Sequence, residues 1–239
     1  MKIAASLIIG MILLFTSCEK NSSTMSTNPT SNNSGCSGGP STVTDRDGNV
    51  YNVVSIGNQC WMKENLKTTR YKNGATIPST LNNSQWNSTT SGACTDYNYN
   101  ISNSEIYGKL YNWYAVADSR GLCPTGWHVP SESEWTTMEN YLGGSTIAGG
   151  AMKEISTIHW ASPNTGATNS SGFNGLPGGK RDPNGTFSTI NKYGYWYSST
   201  QSSIQTTVAY SHYLDYLSSD LNNYNNIKTF GFSVRCVRD

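Results

Sequence analysis

Charge is scarce in this sequence. Asp, Glu, Lys and Arg make up 13% of the 239 residues, about half of the roughly 25% found in an average soluble domain. The 16 Lys and Arg nearly balance the 15 Asp and Glu, and no basic run occurs. This balance excludes nucleic acid or an acidic membrane as a partner held by charge. The surface is expected to consist mostly of Asn, Ser, Thr, Gly and Tyr.

Sequence patterns for metal and phosphate sites are also missing. His128, His159 and His212 are far apart and have no partner at i, i+4, so the spacing of a zinc site is absent. The segment 45–56 lacks the glycine and the final acidic residue of an EF-hand loop at the required places. The glycines of 175–179 are spaced too closely for a phosphate loop. We therefore predict no metal and no cofactor.

Long apolar runs are lacking except at the start of the chain. Residues 3–15 are almost entirely apolar, follow the positive Lys2 and lead through two small residues to Cys18. The run is shorter than the roughly 20 residues that cross a bilayer. The pattern is typical of a bacterial lipoprotein signal at 1–17, with removal just before Cys18 and acylation, palmitate included, at that residue. An ordinary transmembrane helix and a secretory signal with an incidental Cys18 are the alternatives.

Three segments follow from this pattern: a signal peptide at 1–17, a lipid-anchored tether at 18–42 and a folded domain at 43–239. The tether is rich in Ser, Thr, Asn, Gly and Pro and has too few apolar side chains to offset the entropy of ordering. The lipid would attach the protein to a membrane of the bacterial cell envelope. We predict the outer membrane, with the periplasmic or surface face undecided.

The cysteine content points to disulfides, because an exported chain folds under oxidising conditions. Of the six cysteines, lipidation of Cys18 leaves five. An odd number cannot pair completely, so one thiol remains, and counting alone leaves the connectivity open.

Local patterns predict a mixed α+β domain. The Asp-Gly-Asn cluster at 47–49 stands between β-forming residues and predicts a hairpin turn. The segment 107–117 predicts a short helix, because Leu110, Trp113 and Tyr114 have the i, i+3, i+4 spacing of a buried face. The polar but aromatic stretch from Leu66 to about Asn103 is expected to be an ordered, loop-rich insertion.

A second helix has a well-defined start at Glu132. Ser131 and Glu134 form a capping box, in which each side chain binds the backbone amide of the other. Gly143 and Gly144 supply the C-terminal stop. The apolar residues Trp135, Met138 and Leu142 fall on one face of this helix. Beyond it, strand candidates at 193–200, 207–214 and 231–238 alternate with Gly and Asn turns and predict an antiparallel sheet.

Seven motifs occur in the order of a known family: DRDGNVY (45–51), IGNQCWMKENL (56–66), YGKLYNW (107–113), CPTGWHVP (123–130), GFNGLPGG (172–179), YWYSST (195–200) and GFSVRCVRD (231–239). Together they resemble the Fibrobacter succinogenes major paralogous domain, a family of exported bacterial proteins that often carry lipoprotein signals. The resemblance implies a C-type lectin-like fold, similar to that of formylglycine-generating enzymes, with a mixed or antiparallel sheet, few short helices and long loops.

The resemblance also implies how the cysteines pair. In such a fold the last strand returns beside early elements, which implies a bridge between Cys123 and Cys236. Members with a cysteine in the Gln-Cys-Trp-Met segment tend to have another just ahead of the domain, which implies a bridge between Cys36 and Cys60. Cys94 is then the spare thiol.

An oxidoreductase alternative arises from the same resemblance, since formylglycine-generating enzymes bind copper through active-site cysteines. Such a site needs two reduced cysteines side by side, whereas the cysteines here are few and widely spaced. Similarity of fold does not carry chemistry over. Glu132 and Glu134 resemble a paired-carboxylate site, but helix capping already explains Glu134. We predict no catalytic residue.

Aromatic side chains among Asn-, Asp- and Gly-rich loops favour a binding role, because Tyr and Trp combine a flat apolar face with a polar edge. The candidates are Tyr195, Trp196, Tyr197, Tyr213, Asp182 and Asn184, with Tyr193, Tyr216 and Asp215 beside them. Strand alternation predicts that Trp196 faces away from Tyr195 and Tyr197. The competing interpretation is that these rings form the core. The calcium-dependent sugar-binding loops of C-type lectins do not occur.

The sequence therefore predicts an exported, lipid-anchored, non-catalytic C-type lectin-like domain. Its expected role is binding or adhesion to an extracellular glycan or protein. An oxidoreductase and a purely structural surface component are the alternatives.

Overall fold

The computed structural model describes residues 35–239. The predicted signal peptide, the lipidation site Cys18 and the tether before Gly35 lie outside the described residues. The helices are α1 (Asn83–Ser88), α2 (Ile101–Tyr107), α3 (Trp113–Val116), α4 (Glu132–Tyr141) and α5 (Ser145–Met152), with a 3₁₀ turn at Tyr97–Tyr99. The strands are β1 (Thr42–Thr44), β2 (Val50–Ile56), β3 (Gln59–Met62), β4 (Cys94–Thr95), β5 (Leu110–Tyr111), β6 (Trp127–His128), β7 (Lys180–Arg181), β8 (Phe187–Ser188), β9 (Tyr193–Gln201), β10 (Val208–Asp215), β11 (Leu221–Ile227) and β12 (Val237–Arg238).

The strands form four sheets in which neighbouring strands run antiparallel. The largest has the order β1-β2-β3-β12-β6, so the last strand lies between early elements. The second has the order β11-β10-β9, and β4-β5 and β7-β8 are two-stranded ribbons. The predicted α+β class, with antiparallel sheets and few short helices, is confirmed. No helix within 35–239 is long and apolar enough to cross a bilayer.

The predicted hairpin turn lies between β1 and β2, and the Asp45 side chain holds it together. Its Oδ1 accepts hydrogen bonds from the amides of Asp47 (2.9 Å) and Asn49 (3.0 Å), and its Oδ2 accepts one from the Tyr51 hydroxyl (2.5 Å). This is an Asx turn, which substitutes side-chain oxygens for backbone acceptors. Strand β1 begins at Thr42, one residue ahead of the predicted domain boundary at residue 43.

Helix α4 begins at Glu132 with both bonds of the predicted capping box. Gly143 and Gly144 follow it with φ of 98° and 96°, values that glycine adopts without strain. The helix packs its buried side chains, with those of α5, against the sheet of β9, β10 and β11. This part of the core contains Trp135, Met138, Ala148, Met152, Trp196, Leu214 and Leu221.

The predicted helix at 107–117 is wrong. Helix α2 ends where this segment begins, and Gly108 caps its C-terminus with φ of 78°. Strand β5 then pairs with β4, and its Tyr111 also exchanges backbone hydrogen bonds with Phe232. Only the single turn α3 is helical, capped by the side chain of Asn112. The apolar spacing arises because this segment is buried on several sides, which a periodicity argument cannot distinguish from one helical face.

Both implied disulfides are present. Cys36 is bonded to Cys60, and Cys123 to Cys236. Cys94 is free and buried, and burial raises the pKa of its thiol to about 12. The first bridge holds the chain ahead of β1 against β3, so residues of the predicted tether from Cys36 onward belong to the folded structure.

Five of the seven family motifs meet in one buried hydrogen-bond network, in which Asn65 Nδ2 donates to the carbonyl of Tyr107 (2.8 Å). Asn65 Oδ1 accepts from Trp196 Nε1 (2.8 Å) and from Nε (3.1 Å) and Nη2 (2.7 Å) of Arg235. Arg235 also donates Nη1 to the carbonyl of Phe173, and its guanidinium lies 3.9 Å from the centre of the Phe173 ring. Buried polar groups require such partners. These motifs therefore contribute packing and internal hydrogen bonds to the core.

The C-terminus is held by His128, which lies between two carboxylates. Its Nδ1 is 2.6 Å from Asp239 Oδ1, and its Nε2 is 2.7 Å from Glu134 Oε1. Burial lowers the pKa of His128, but the hydrogen bonds and charges of Asp239 and Glu134 outweigh it and hold the pKa above its usual value. The protonated ring can donate to both carboxylates at once.

We expect this arrangement to make stability depend on pH. The pKa of His128 is higher in the folded than in the unfolded state, so its contribution is complete below about pH 6.5 and is lost as the pH rises through the folded-state pKa. Thermal unfolding of the wild type and of His128→Gln between about pH 6 and 8 measures this difference. The wild-type midpoint should fall relative to that of the variant as the pH rises. Parallel curves would contradict the assignment.

Candidate ligand-binding surface

The register of β9, β10 and β11 brings four tyrosines to one face of the three-stranded sheet. Tyr195 lies opposite Tyr213, and Tyr224 lies opposite Ser211, two residues before Tyr213. Tyr193 is two residues before Tyr195 on β9 and therefore shares its face. We call Tyr193, Tyr195, Tyr213 and Tyr224 the tyrosine face. Asn222 and Asp215 supply an amide and a carboxylate on the same side of the sheet.

The rings continue into the core as a stack. Tyr193 and Tyr195 have centroids 5.8 Å apart, Tyr195 and Phe232 5.1 Å, and Phe232 and Phe230 5.3 Å, with interplanar angles of 20°, 14° and 18°. Tyr213 leans on Tyr195 at 5.8 Å and on Tyr193 at 6.2 Å. Since both faces of Tyr195 are covered by neighbouring rings, it offers a ligand only its edge and hydroxyl.

Tyr224 is the most exposed ring of this face. Tyr224 is 67% exposed, whereas Tyr193, Tyr195 and Tyr213 are half-buried. Partial burial and the nearby Asp215 raise the pKa of the Tyr193 and Tyr213 hydroxyls. Both hydroxyls are therefore neutral at physiological pH and can donate as well as accept hydrogen bonds.

Lys180 and Asp182 border the stack. Lys180 Nζ is 2.9 Å from Asp182 Oδ1 and lies 4.8 Å from the centre of the Phe230 ring and 5.8 Å from that of Tyr195. Asp182 also accepts a hydrogen bond from the Ser188 hydroxyl at 2.7 Å. The predicted candidates Asp182, Tyr195 and Tyr213 are thus brought together by the fold.

Asn184 has a different position, in the turn between β7 and β8. Its Oδ1 accepts from the amide (3.0 Å) and the hydroxyl (2.7 Å) of Thr186, which stabilises the turn. These hydrogen bonds therefore serve the turn, and the role of Asn184 as a ligand contact stays a prediction.

Trp196 and Tyr197 are wrong as ligand contacts, because both are 0% exposed. Trp196 packs beneath α4 and α5, on the opposite side of the sheet from Tyr195, as the alternation predicted. Tyr197 lies against Phe232 at 4.7 Å, and its hydroxyl donates to the carbonyls of Ile227 (3.2 Å) and Phe230 (3.1 Å). A sequence pattern shows on which face of the sheet a strand residue lies. It does not show whether other parts of the fold cover the residue there.

Tyr224 and Asn222 are surface members that the sequence argument missed. Strand β11 reads LNNYNNI, and its asparagines argue against a strand because Asn is depleted in β-structure. The sequence nevertheless contained a weak indication of a strand. Residues 221–227 include Leu221 and Tyr224 and contain neither Gly nor Pro. Antiparallel pairing with all seven residues from Val208 to Leu214 forms the strand.

The three histidines do not come together in the described residues. Within 35–239 no group of three or more His, Cys, Asp or Glu side chains is placed to hold a metal ion. His159 is 2.9 Å from Glu154, and the buried His212 is 3.0 Å from Glu132 and stacks on Trp135 at 4.5 Å. Each histidine is thus part of a separate local contact.

Comparison with known proteins gives one match. A family model described as the Fibrobacter succinogenes major domain matches residues 54–238. No curated protein and no solved structure matches the chain. The match supports a surface-associated domain and specifies no ligand.

Proposed function

Because this chain belongs to the family of the Fibrobacter succinogenes major domain, we propose that it is a non-catalytic binding or adhesion protein whose tyrosine face contacts an extracellular glycan or protein. The single observation that carries the proposal is the gathering of four tyrosines on one face of β9, β10 and β11. Their rings offer apolar contact and their hydroxyls hydrogen bonds, a combination suited to sugar rings and to peptide. Asn222 and Asp215 add polar groups beside them.

The proposal includes a C-type lectin-like fold and attachment to the bacterial envelope. Antiparallel sheets, helices of at most ten residues and long ordered connections support the fold. The residue pattern at 1–18 supports lipidation at Cys18 and anchoring to the outer membrane. Protease treatment of intact cells decides between the surface and the periplasmic face.

The state of the cysteines favours binding over the oxidoreductase alternative. A copper site of the formylglycine-generating type needs two thiols placed together. Among residues 35–239, Cys94 is the one cysteine outside a disulfide. It is buried, and its raised pKa keeps it protonated at neutral pH.

The tyrosine face is tested by removing the rings of Tyr213 and Tyr224. The purified protein is screened on an array of bacterial and plant polysaccharides and extracellular proteins, and affinity for each retained partner is then measured by calorimetry. We expect Tyr213→Ala combined with Tyr224→Ala to weaken binding by about tenfold or more, since ring contacts contribute about 1 kcal/mol or more each.

Tyr141→Ala is the matched control, because Tyr141 is 66% exposed on α4 and outside the tyrosine face. It should leave affinity unchanged. Unfolding midpoints close to that of the wild type show that the variants are folded. No retention on the whole panel, or equal affinity in the double variant and the control, overturns the proposal.

A further inference from the structure

A cavity lies at the turn between β1 and β2 and shares no residue with the tyrosine face. Its volume is about 170 Å³. Three chain segments line it: 44–46 from the turn, 70–72 from the loop after β3, and 122–125 around the disulfide-bonded Cys123. The turn is fixed by Asp45 and the third segment by the bridge to Cys236, so the walls are held in place without a ligand.

Three cationic side chains line this cavity: Arg46, Arg70 and Lys72. Arg46 and Lys72 are exposed, and within residues 35–239 neither has a carboxylate within ion-pair distance. Arg70 Nε is 3.2 Å from Asp47 Oδ1. The other oxygen of Asp47 accepts from the Thr69 amide (2.5 Å) and hydroxyl (2.8 Å), so this carboxylate is shared.

Asp45 is the acidic residue of the lining, and its carboxylate points into the turn between β1 and β2 and is bound there. It is 8% exposed. Its oxygens accept from the Asp47 and Asn49 amides, the Asn49 side chain and the Tyr51 hydroxyl. A carboxylate that accepts four hydrogen bonds inside a turn has little capacity left for the cations across the cavity. The lining therefore retains excess positive charge.

Three cationic side chains around one cavity are unusual in a chain with only 13% charged residues and a net charge of +1. Like charges around one concave surface repel each other, and a concave surface of one sign concentrates the field on an ion of the opposite sign. Guanidinium groups match the geometry of planar and tetrahedral oxyanions, and the ammonium of Lys72 adds a point charge. The hydroxyl residues Thr44 and Thr125 also line the cavity and can add neutral donors.

We propose that this cavity binds an oxyanionic group, a carboxylate, sulfate or phosphate, presented by an acidic sugar or as the free ion. Arg46 and Lys72 hold the anion directly, and Arg70 is oriented toward it by Asp47. The site extends the protein's binding capacity beyond the tyrosine face and does not depend on that face having a ligand.

The test uses three probes on the purified protein: inorganic sulfate, galacturonate and galactose. The two sugars differ in the C6 group, so their comparison isolates the carboxylate. Binding is followed by chemical-shift changes of the backbone amides of residues 44–46, 70–72, 122, 123 and 125. Sulfate and galacturonate should shift these amides in a saturable way, and galactose should not.

Two double variants distinguish anion binding by the cavity residues from attraction by the protein's overall charge. Arg46→Ala with Lys72→Ala should weaken anion binding by about tenfold or more. Lys63→Ala with Lys192→Ala removes the same net charge from positions outside the cavity and should leave binding nearly unchanged. Thermal unfolding checks that both variants are folded.

The outcomes distinguish the ligand sources. Saturable binding of galacturonate supports an acidic sugar as the natural ligand, and binding of sulfate alone supports the site with a free anion as ligand. Failure of both anions to bind, or equal weakening in the two double variants, overturns the proposal. The tyrosine-face variants do not alter this cavity. A failure of the anion-binding proposal would therefore leave the proposed function of the tyrosine face untouched.

Discussion

Replacing Cys123 and Cys236 together by alanine is expected to lower the free energy of unfolding by about 4 to 5 kcal/mol, the largest effect of any change considered for this protein. The bridge closes a loop with a sequence separation of 113 residues. In the chain-entropy account, removing it frees the unfolded state more than the folded one. Chemical denaturation of the oxidised proteins, with free energies extrapolated to zero denaturant, measures the loss.

The second disulfide provides the control. Cys36 and Cys60 are separated by 24 residues, so their replacement by alanine should cost less, about 3 to 3.5 kcal/mol in the same account. The difference between the two double variants is the informative quantity, since the change from cysteine to alanine is common to both. Equal losses, or a larger loss for the shorter loop, would show that local packing rather than loop closure determines the stabilisation.

Trp196→Ala is expected to lower the free energy of unfolding by about 3 to 5 kcal/mol. The indole is 0% exposed, packs at 5.6 Å from the ring of Phe173 and donates to Asn65 Oδ1. Truncation leaves a cavity among the buried side chains of α4, α5 and the three-stranded sheet. It also removes one of the donors of the buried network around Asn65.

Tyr213→Ala separates this structural effect from binding. Tyr213 lies on the opposite face of the same sheet and is only half-buried, so its loss should cost about 1 kcal/mol. Loss of binding in Tyr213→Ala at nearly full stability would show direct contact, whereas Trp196→Ala should affect binding only as far as it unfolds the protein. A Trp196→Ala protein as stable as Tyr213→Ala would contradict the assignment of the indole to the core.

Features that depend on neighbouring residues were predictable from the sequence. The capping box places the start of α4 correctly because both of its hydrogen bonds join residues three apart. The turn between β1 and β2 follows from the Asp-Gly-Asn cluster at 47–49 in the same way. The disulfides and the free Cys94 followed from the family resemblance, and the structure confirms them.

Features that depend on pairing between distant segments were not predictable from the sequence. The segment Leu110–Val116 has helical spacing but divides into β5 and α3, because β4 and Phe232 bind its backbone from elsewhere in the chain. Strand β11 has a sequence poor in β-forming residues and exists through its register with β10. Long-range hydrogen bonds of this kind outweigh local preference.

By itself the sequence determined the family, the α+β class, the cysteine pairs implied by that family and the local boundaries of α4 and the first hairpin, because short-range chemistry and ordered motifs carry this information. Only the tertiary structure decided which aromatic rings face solvent, since the same strand β9 sends Tyr195 to the tyrosine face and Trp196 into the core. It also decided that Arg46, Arg70 and Lys72 share one cavity. The burial of a ring and the gathering of side chains around a cavity depend on segments that are distant in the sequence and adjacent in the fold. A local stretch of sequence therefore cannot reveal them.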